Sequence, residues 1–136
     1  MKLSHYAIAT SKIEECILFY QSFCAMRTVK DRHDGPTRVV WLAPLEQDDF
    51  ILVFVSIDGV EYANRASDSM LRHLGFELES REAVDRVHKA LLSSNHECTK
   101  PVFVDEITGY VCMARDPEGR WVEFSFGQNT SPEAWD

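Results

Sequence analysis

Two histidines, His5 and His73, stand at matching places in two halves of one 136-residue chain, and Glu123 falls near the end of the second half. Leu3-Ser4-His5 aligns with Leu71-Arg72-His73 at an offset of 68 residues, and Ile51-Leu52-Val53-Phe54 with Trp121-Val122-Glu123-Phe124 at an offset of 70. Both halves keep the histidine, but only the second supplies a carboxylate, where the first has Val53. Two imidazoles and one carboxylate are the ligand set of a facial triad for a divalent transition metal. Three protein ligands leave coordination positions open, as a catalytic site requires. A histidine on an apolar strand can also be a hydrogen-bonded core residue, and Glu123 could pair with Arg115 or Arg120. A glutamate inside Trp-Val-Glu-Phe-Ser-Phe is nevertheless costly to bury without a partner.

The elements that must position these residues follow from local pattern. Leu3 to Ala9 reads as a strand, and Ser11-Lys12-Ile13-Glu14 has the spacing of a helix capping box. Ile13, Cys16, Ile17, Tyr20 and Phe23 then recur at helical spacing. Met26 to Lys30 is a second strand, 31–36 a segment of turn formers, Arg38 to Leu42 a third strand and Phe50 to Ile57 a fourth. The second half repeats the order: a strand over Met70–Leu78, a helix from Ser80 with Val84, Val87, His88 and Leu91 on one face, then strands over Cys98–Val104, Tyr110–Arg115 and Trp121–Phe126. Asp116-Pro117-Glu118-Gly119 has proline and glycine where a tight reversal wants them. The expected architecture is α+β, with tandem βαβββ modules over residues 1–58 and 70–128, a linker over 59–69 and a tail over 129–136.

Alternation of side chains along strands sorts the candidates further. His73 shares a face with Leu71, Gly75 and Glu77, and Glu123 with Trp121 and Ser125. Glu77 lies about 13 Å along the strand from His73, too far for the same ion. Arg38, Trp41, Val53, Met113, Trp121 and Ser125 are the candidates for the wall of a substrate pocket. His33 and His96 are placed in loops, and His88 on its helix facing the sheet. Nothing in the spacing of Cys98 and Cys112 pairs them with the candidate ligands.

Composition bounds the class. A formal net charge of −8 argues against a nucleic-acid or anionic membrane partner. No apolar run is as long as a membrane span, and the amino terminus does not read as a signal peptide. Four widely spaced cysteines without a C-x-x-C read as reduced thiols, which points to a cytoplasmic chain.

The L-x-H opening, Phe19-Tyr20, the central Arg72-His73-Leu74-Gly75-Phe76 and the run from Asp116 to Glu123 together resemble the vicinal oxygen chelate superfamily. That group includes glyoxalase I, methylmalonyl-CoA epimerase, fosfomycin-resistance proteins, extradiol dioxygenases and bleomycin-resistance proteins. The resemblance runs from Leu3 to about Gly127. It implies an open half-barrel of two βαβββ modules around a divalent metal (Fe, Mn, Zn, Ni or Co), a small substrate chelating through neighbouring oxygens, and a homodimer. It further implies lyase, isomerase or dioxygenase chemistry, with Glu123 both ligand and catalytic residue. The departures are informative. Val53 stands where glyoxalase I and the epimerases commonly place a fourth ligand. Met113 stands where an extradiol enzyme carries a second-shell tyrosine, with Tyr110 displaced in register. Residues 127–136 hold no Arg or Lys for a phosphonate. The alternative reading is a non-catalytic small-molecule binder of the bleomycin-resistance type.

Overall fold

The computed structural model describes residues 1–62, 69–128 and 130. The expected linker falls partly, and the expected tail almost wholly, outside the described residues. The chain divides into two compact units, Met1–Arg65 and Ala66–Asp136.

In the first unit, β1 (His5–Ala9), α1 (Ile13–Phe23), β2 (Met26–Asp34), β3 (Thr37–Pro44) and β4 (Ile51–Ile57) follow in order. Their sheet has the order β1-β4-β3-β2, with β1 and β4 parallel and the other pairs antiparallel. In the second unit the order along the chain is β5 (His73–Glu77), α2 (Arg81–Ser93), β6 (Val102–Phe103), β7 (Tyr110–Arg115) and β8 (Trp121–Phe126). The second sheet repeats the topology as β5-β8-β7-β6. Each unit is thus a βαβββ module with an open, mixed sheet. The helix returns the chain so that the first and last strands of each module lie side by side and parallel.

Each helix covers one face of its sheet. Tyr20 of α1 lies 5.1 Å, ring to ring, from Phe54 of β4, and both are buried. In the second unit Val84 and Leu91 of α2 are buried, as are Val122 and Phe124 of β8. Phe76 of β5 stacks on Phe124 at 6.0 Å. The predicted helical face is borne out, although Val87 and His88 are only half-buried.

The helix starts differ from each other for a local reason. Ser80 accepts the Ala83 amide at 3.0 Å, a side-chain cap of the expected kind. The capping box read at Ser11 does not form: α1 begins at Ile13, and the buried Thr10 hydroxyl accepts the Lys12 amide at 3.0 Å. Ser80→Ala is expected to cost about 1 kcal/mol, read as a shift in the urea midpoint with the slope unchanged.

Two strand limits also correct the sequence reading. Residues 31–34 are not a loop but continue β2, which pairs through Asp34↔Thr37 and leaves only Gly35 and Pro36 to turn. The charges that suggested a loop lie on an exposed edge strand, where they discourage pairing with another chain. The strand read over Cys98–Val104 shrinks to Val102–Phe103 with one isolated bridge, Cys98↔Ala114. Pro101 lies between the two and has no amide to donate to a ladder.

The Asp116–Gly119 reversal is built around one carboxylate. Asp116 Oδ1 accepts the Glu118 and Arg120 amides, each at 2.9 Å, and Oδ2 accepts Arg120 Nη1 at 3.1 Å. Gly119 takes φ +87°, a region that disfavours residues with a Cβ. No helix among the described residues is long and apolar enough to cross a membrane.

Candidate functional site

The strand registers of the two units coincide residue by residue. His5 pairs with Ile51 and Ala7 with Val53; His73 pairs with Trp121 and Gly75 with Glu123. One step further, Trp41 pairs with Val53 and Met113 with Glu123. His5 and His73 therefore occupy one position of the repeat, and Val53 and Glu123 another.

In the second unit, alternation from these pairs places His73, Gly75, Glu77, Trp121, Glu123, Ser125 and Met113 on the sheet face away from α2. His73 Nε2 lies 3.1 Å from Glu123 Oε2. The Glu123 side chain is 8% exposed and that of His73 29%, so the pair is reached from the histidine side. His73 Nδ1 lies 2.7 Å from the Met70 carbonyl oxygen. A carbonyl can only accept, so Nδ1 carries the proton and the imidazole presents Nε2 to the carboxylate. In the neutral ring that nitrogen bears a lone pair. Two electron-rich groups at this distance are held favourably only by a proton on Nε2 or by a cation they share.

The other carboxylate oxygen strengthens the second possibility. Glu123 Oε1 is buried without a hydrogen-bond partner. A carboxylate oxygen left in that condition is costly unless something positive reaches it. The arginines considered from sequence pair elsewhere: Arg115 is bonded to Glu97 at 3.1 Å, and Arg120 to Asp116. Gly75 lies across the strand from Glu123, and a Cβ there would come no closer than 4.0 Å to Oε1. The space beside the free oxygen is therefore kept open by the absence of a side chain.

Glu77 is engaged elsewhere. It accepts the Ser125 hydroxyl and the Gly127 amide, both at 2.8 Å, closing the end of β5 onto β8. Ser125 is thus committed to Glu77, a role not visible in its alternation along the strand. Trp121 is buried beneath the Arg115 guanidinium, which lies 4.0 Å from the ring centroid.

In the first unit, His5, Ala7, Val53 and Trp41 share the face away from α1. His5 is exposed, and its Nδ1 lies 2.8 Å from Ser4 Oγ. Lys30 Nζ stands 5.8 Å from the Trp41 ring centroid. Arg38 must be corrected as a wall candidate. It pairs with Ser56, in phase with buried Val40 and Leu42, and its guanidinium binds Glu14 of α1 and Asp31 of β2, the latter at 2.7 Å. Facing the helix, it ties α1 to the sheet edge. The hydrogen bond from Arg38 holds the Asp31 carboxyl below the ordinary carboxylate range.

Each unit thus carries its own part of the candidate set: His5, Trp41 and Val53 in the first, and His73, Met113, Trp121, Glu123 and Ser125 in the second. Among the described residues, no group of three or more His, Cys, Asp or Glu side chains is gathered so as to hold a metal ion. What is assembled is the His73–Glu123 pair. Sequence reasoning missed Gly75 and the Met70 carbonyl. Gly75 was legible as the small residue opposite the glutamate once the register was known; the carbonyl contact had no sequence signal.

Comparison with known proteins agrees with this architecture. The family model described as Glyoxalase/Bleomycin resistance protein/Dioxygenase superfamily matches residues 2–124. An uncharacterized protein of Pseudomonas aeruginosa is 37% identical over 131 residues, covering 96% of this chain and 91% of that one. Among solved structures, a glyoxylase/bleomycin resistance protein/dioxygenase domain from Frankia superposes with a TM-score of 0.75 at 16% identity, over 94% of this chain and 98% of that one. The trypanothione-dependent glyoxalase I of Leishmania major does so with a TM-score of 0.70 at 15% identity, over 93% of this chain and 87% of that one. At such identities the structural likeness speaks for the fold alone. With the family model spanning most of its length, the chain belongs to the glyoxalase/bleomycin resistance protein/dioxygenase superfamily.

Proposed function

We propose that this protein is a metal-dependent enzyme in which His73 and Glu123 hold a divalent cation and His5 supplies the third ligand. The observation that carries the reading is the pairing of His73 Nε2 with Glu123 beside a buried, unpartnered carboxylate oxygen. The donor set of two imidazoles and one carboxylate suits Fe(II), Mn(II), Zn(II), Ni(II) or Co(II). The Met70 carbonyl would fix the His73 tautomer that leaves Nε2 for the metal, as a ligating histidine usually donates its other ring N–H to a carbonyl or carboxylate. His5 belongs to the first unit, from the same chain or from a second copy in a homodimer.

When bound, such a cation acts as a Lewis acid towards two neighbouring oxygens of a small substrate. The protein's own part is to orient and enclose. Met113, the ladder partner of Glu123, offers apolar surface, while Gly75 leaves room for a ligand. Val53, in the position that Glu123 holds in the second module, cannot coordinate. Glu123 is therefore the one carboxylate of the repeat available to accept a proton from the substrate. This fits proton transfer through a single carboxylate better than a mechanism shared between two carboxylate ligands.

The test is metal analysis followed by assay. Protein incubated with each of the five metals should retain about one ion per chain, the stoichiometry of a single three-ligand site. The loaded protein is then assayed with and without oxygen against catechols, glutathione hemithioacetals and epoxides. Oxygen uptake would assign dioxygenase chemistry, and turnover without oxygen the lyase or isomerase side. Gly75→Leu should leave the fold intact by circular dichroism yet abolish metal retention, since its side chain would enter the space beside Glu123 Oε1.

A second reading rests on the first unit, whose face away from α1 carries Val39, Trp41, Val53 and Val55 together with His5. Such a surface suits the sequestration of an aromatic or aliphatic compound without turnover. Protein that remains metal-free with all five metals would favour this binder.

A further inference from the structure

The opposite face of the second sheet, under α2, holds a group of side chains that the proposed metal chemistry does not use. Cys112 of β7 is buried on the face that carries Phe124, its partner in the ladder. Cys98 reaches the same face through its isolated bridge to Ala114 and is only half-buried. His88 of α2 places Nδ1 3.4 Å from Cys98 Sγ. The two thiols hydrogen-bond to each other, and the Thr99 carbonyl, 3.6 Å away, accepts from the thiol form of Cys98.

This is more than a cysteine packed as a small apolar residue. A thiolate is favoured where a hydrogen-bond donor and an imidazole converge on it, and partial exposure lets a small reagent approach. Cys112 and His88 provide the first two conditions, and the half-buried position of Cys98 provides the third. We propose that Cys98 is a modification site: a nucleophilic thiolate, held between His88 and Cys112, that hydroperoxides convert to a sulfenic acid. The sulfur attacks one peroxide oxygen, so that an S–O bond forms as the O–O bond breaks. Sulfur loses two electrons, and the departing hydroxide or alkoxide takes a proton from the His88 imidazolium.

The electrostatics run the same way. The Cys112 hydrogen bond, followed by His88, lowers the Cys98 thiol to about 6 against the effect of burial. The same contact, with burial, pushes Cys112 up, so Cys112 is the donor of the pair. The other titratable groups nearby are Asp85 on α2, which accepts from Tyr110 at 2.6 Å, Glu123 on β8, and Tyr110 itself on β7; Asp85 and Glu123 both also raise Cys112.

The test uses the whole chain with hydrogen peroxide and dimedone, mapped by peptide mass spectrometry. Dimedone should mark Cys98 in preference to Cys16, Cys24 and Cys112 by roughly tenfold or more. Cys98→Ser should remove that adduct. The rate of iodoacetamide alkylation at Cys98 should have its pH midpoint near the lowered value of about 6. His88→Gln should raise it towards the ordinary thiol value of about 8.5, a change that a purely packing role for His88 would not produce. Equal labelling of the four cysteines, or an ordinary midpoint in the wild type, would overturn the proposal even if the His88 variant failed to fold.

Discussion

Glu123→Gln is expected to abolish metal retention while leaving the fold in place. The amide is nearly isosteric with the carboxylate, so β8 keeps its packing and the His73 contact remains geometrically possible. What it loses is the negative charge facing His73 Nε2 and the buried second oxygen. Loss of a second-shell partner commonly weakens metal binding by about 10–100-fold, and loss of a direct ligand should exceed that. The expected result is a fall of more than about a hundredfold in affinity for the preferred divalent ion, by calorimetric titration, with catalysis lost alongside. His73→Ala should behave in the same way. Undiminished binding by both variants would show that this pair does not hold the metal and would end the assignment of the site.

Asp116→Ala strikes at the turn that brings Glu123 into place. The Asp116 side chain is fully buried and accepts three hydrogen bonds, two from amides and one from the Arg120 guanidinium. Removing it strands these donors and breaks a buried ion pair, a change that should cost about 3–5 kcal/mol. Chemical denaturation followed by tryptophan fluorescence reads this directly, because Trp121 stands at the start of β8. Asp116→Asn keeps an acceptor for the amides and loses the ionic contact, so it should recover roughly half of the loss. Equal stability of Asp116→Ala and wild type would show that the reversal is held by its glycine and proline alone. Reduced metal retention in Asp116→Ala should follow its unfolding, whereas in Glu123→Gln it should appear in folded protein.

These two residues also show what can be read from a chain before it is folded. Asp116-Pro117-Glu118-Gly119 announces a reversal because proline and glycine restrict and extend the backbone locally. The structure adds that the aspartate is the acceptor inside that turn. The in-register histidines were legible because duplication preserves strand position, and the parallel pairing of β1 with β4 and of β5 with β8 carries the comparison through. Arg38 was misplaced because an isolated arginine on a strand does not declare its partners. Glu14 and Asp31 find it only once α1 lies across the sheet. Residues 31–34 were misread for a related reason, since a charged edge strand has the composition of a loop.

The sequence alone therefore determined the doubled βαβββ order, the helical faces and the two repeat positions occupied by His5/His73 and Val53/Glu123. Such features are written in short-range periodicity and in self-similarity, both of which exist before any distant residues meet. Tertiary structure alone decided that His73 meets Glu123, that Ser125 answers Glu77, and that Cys98 lies against His88 and Cys112. Those contacts depend on where helices and hairpins come to rest against one another, and no local pattern of residue types encodes that register.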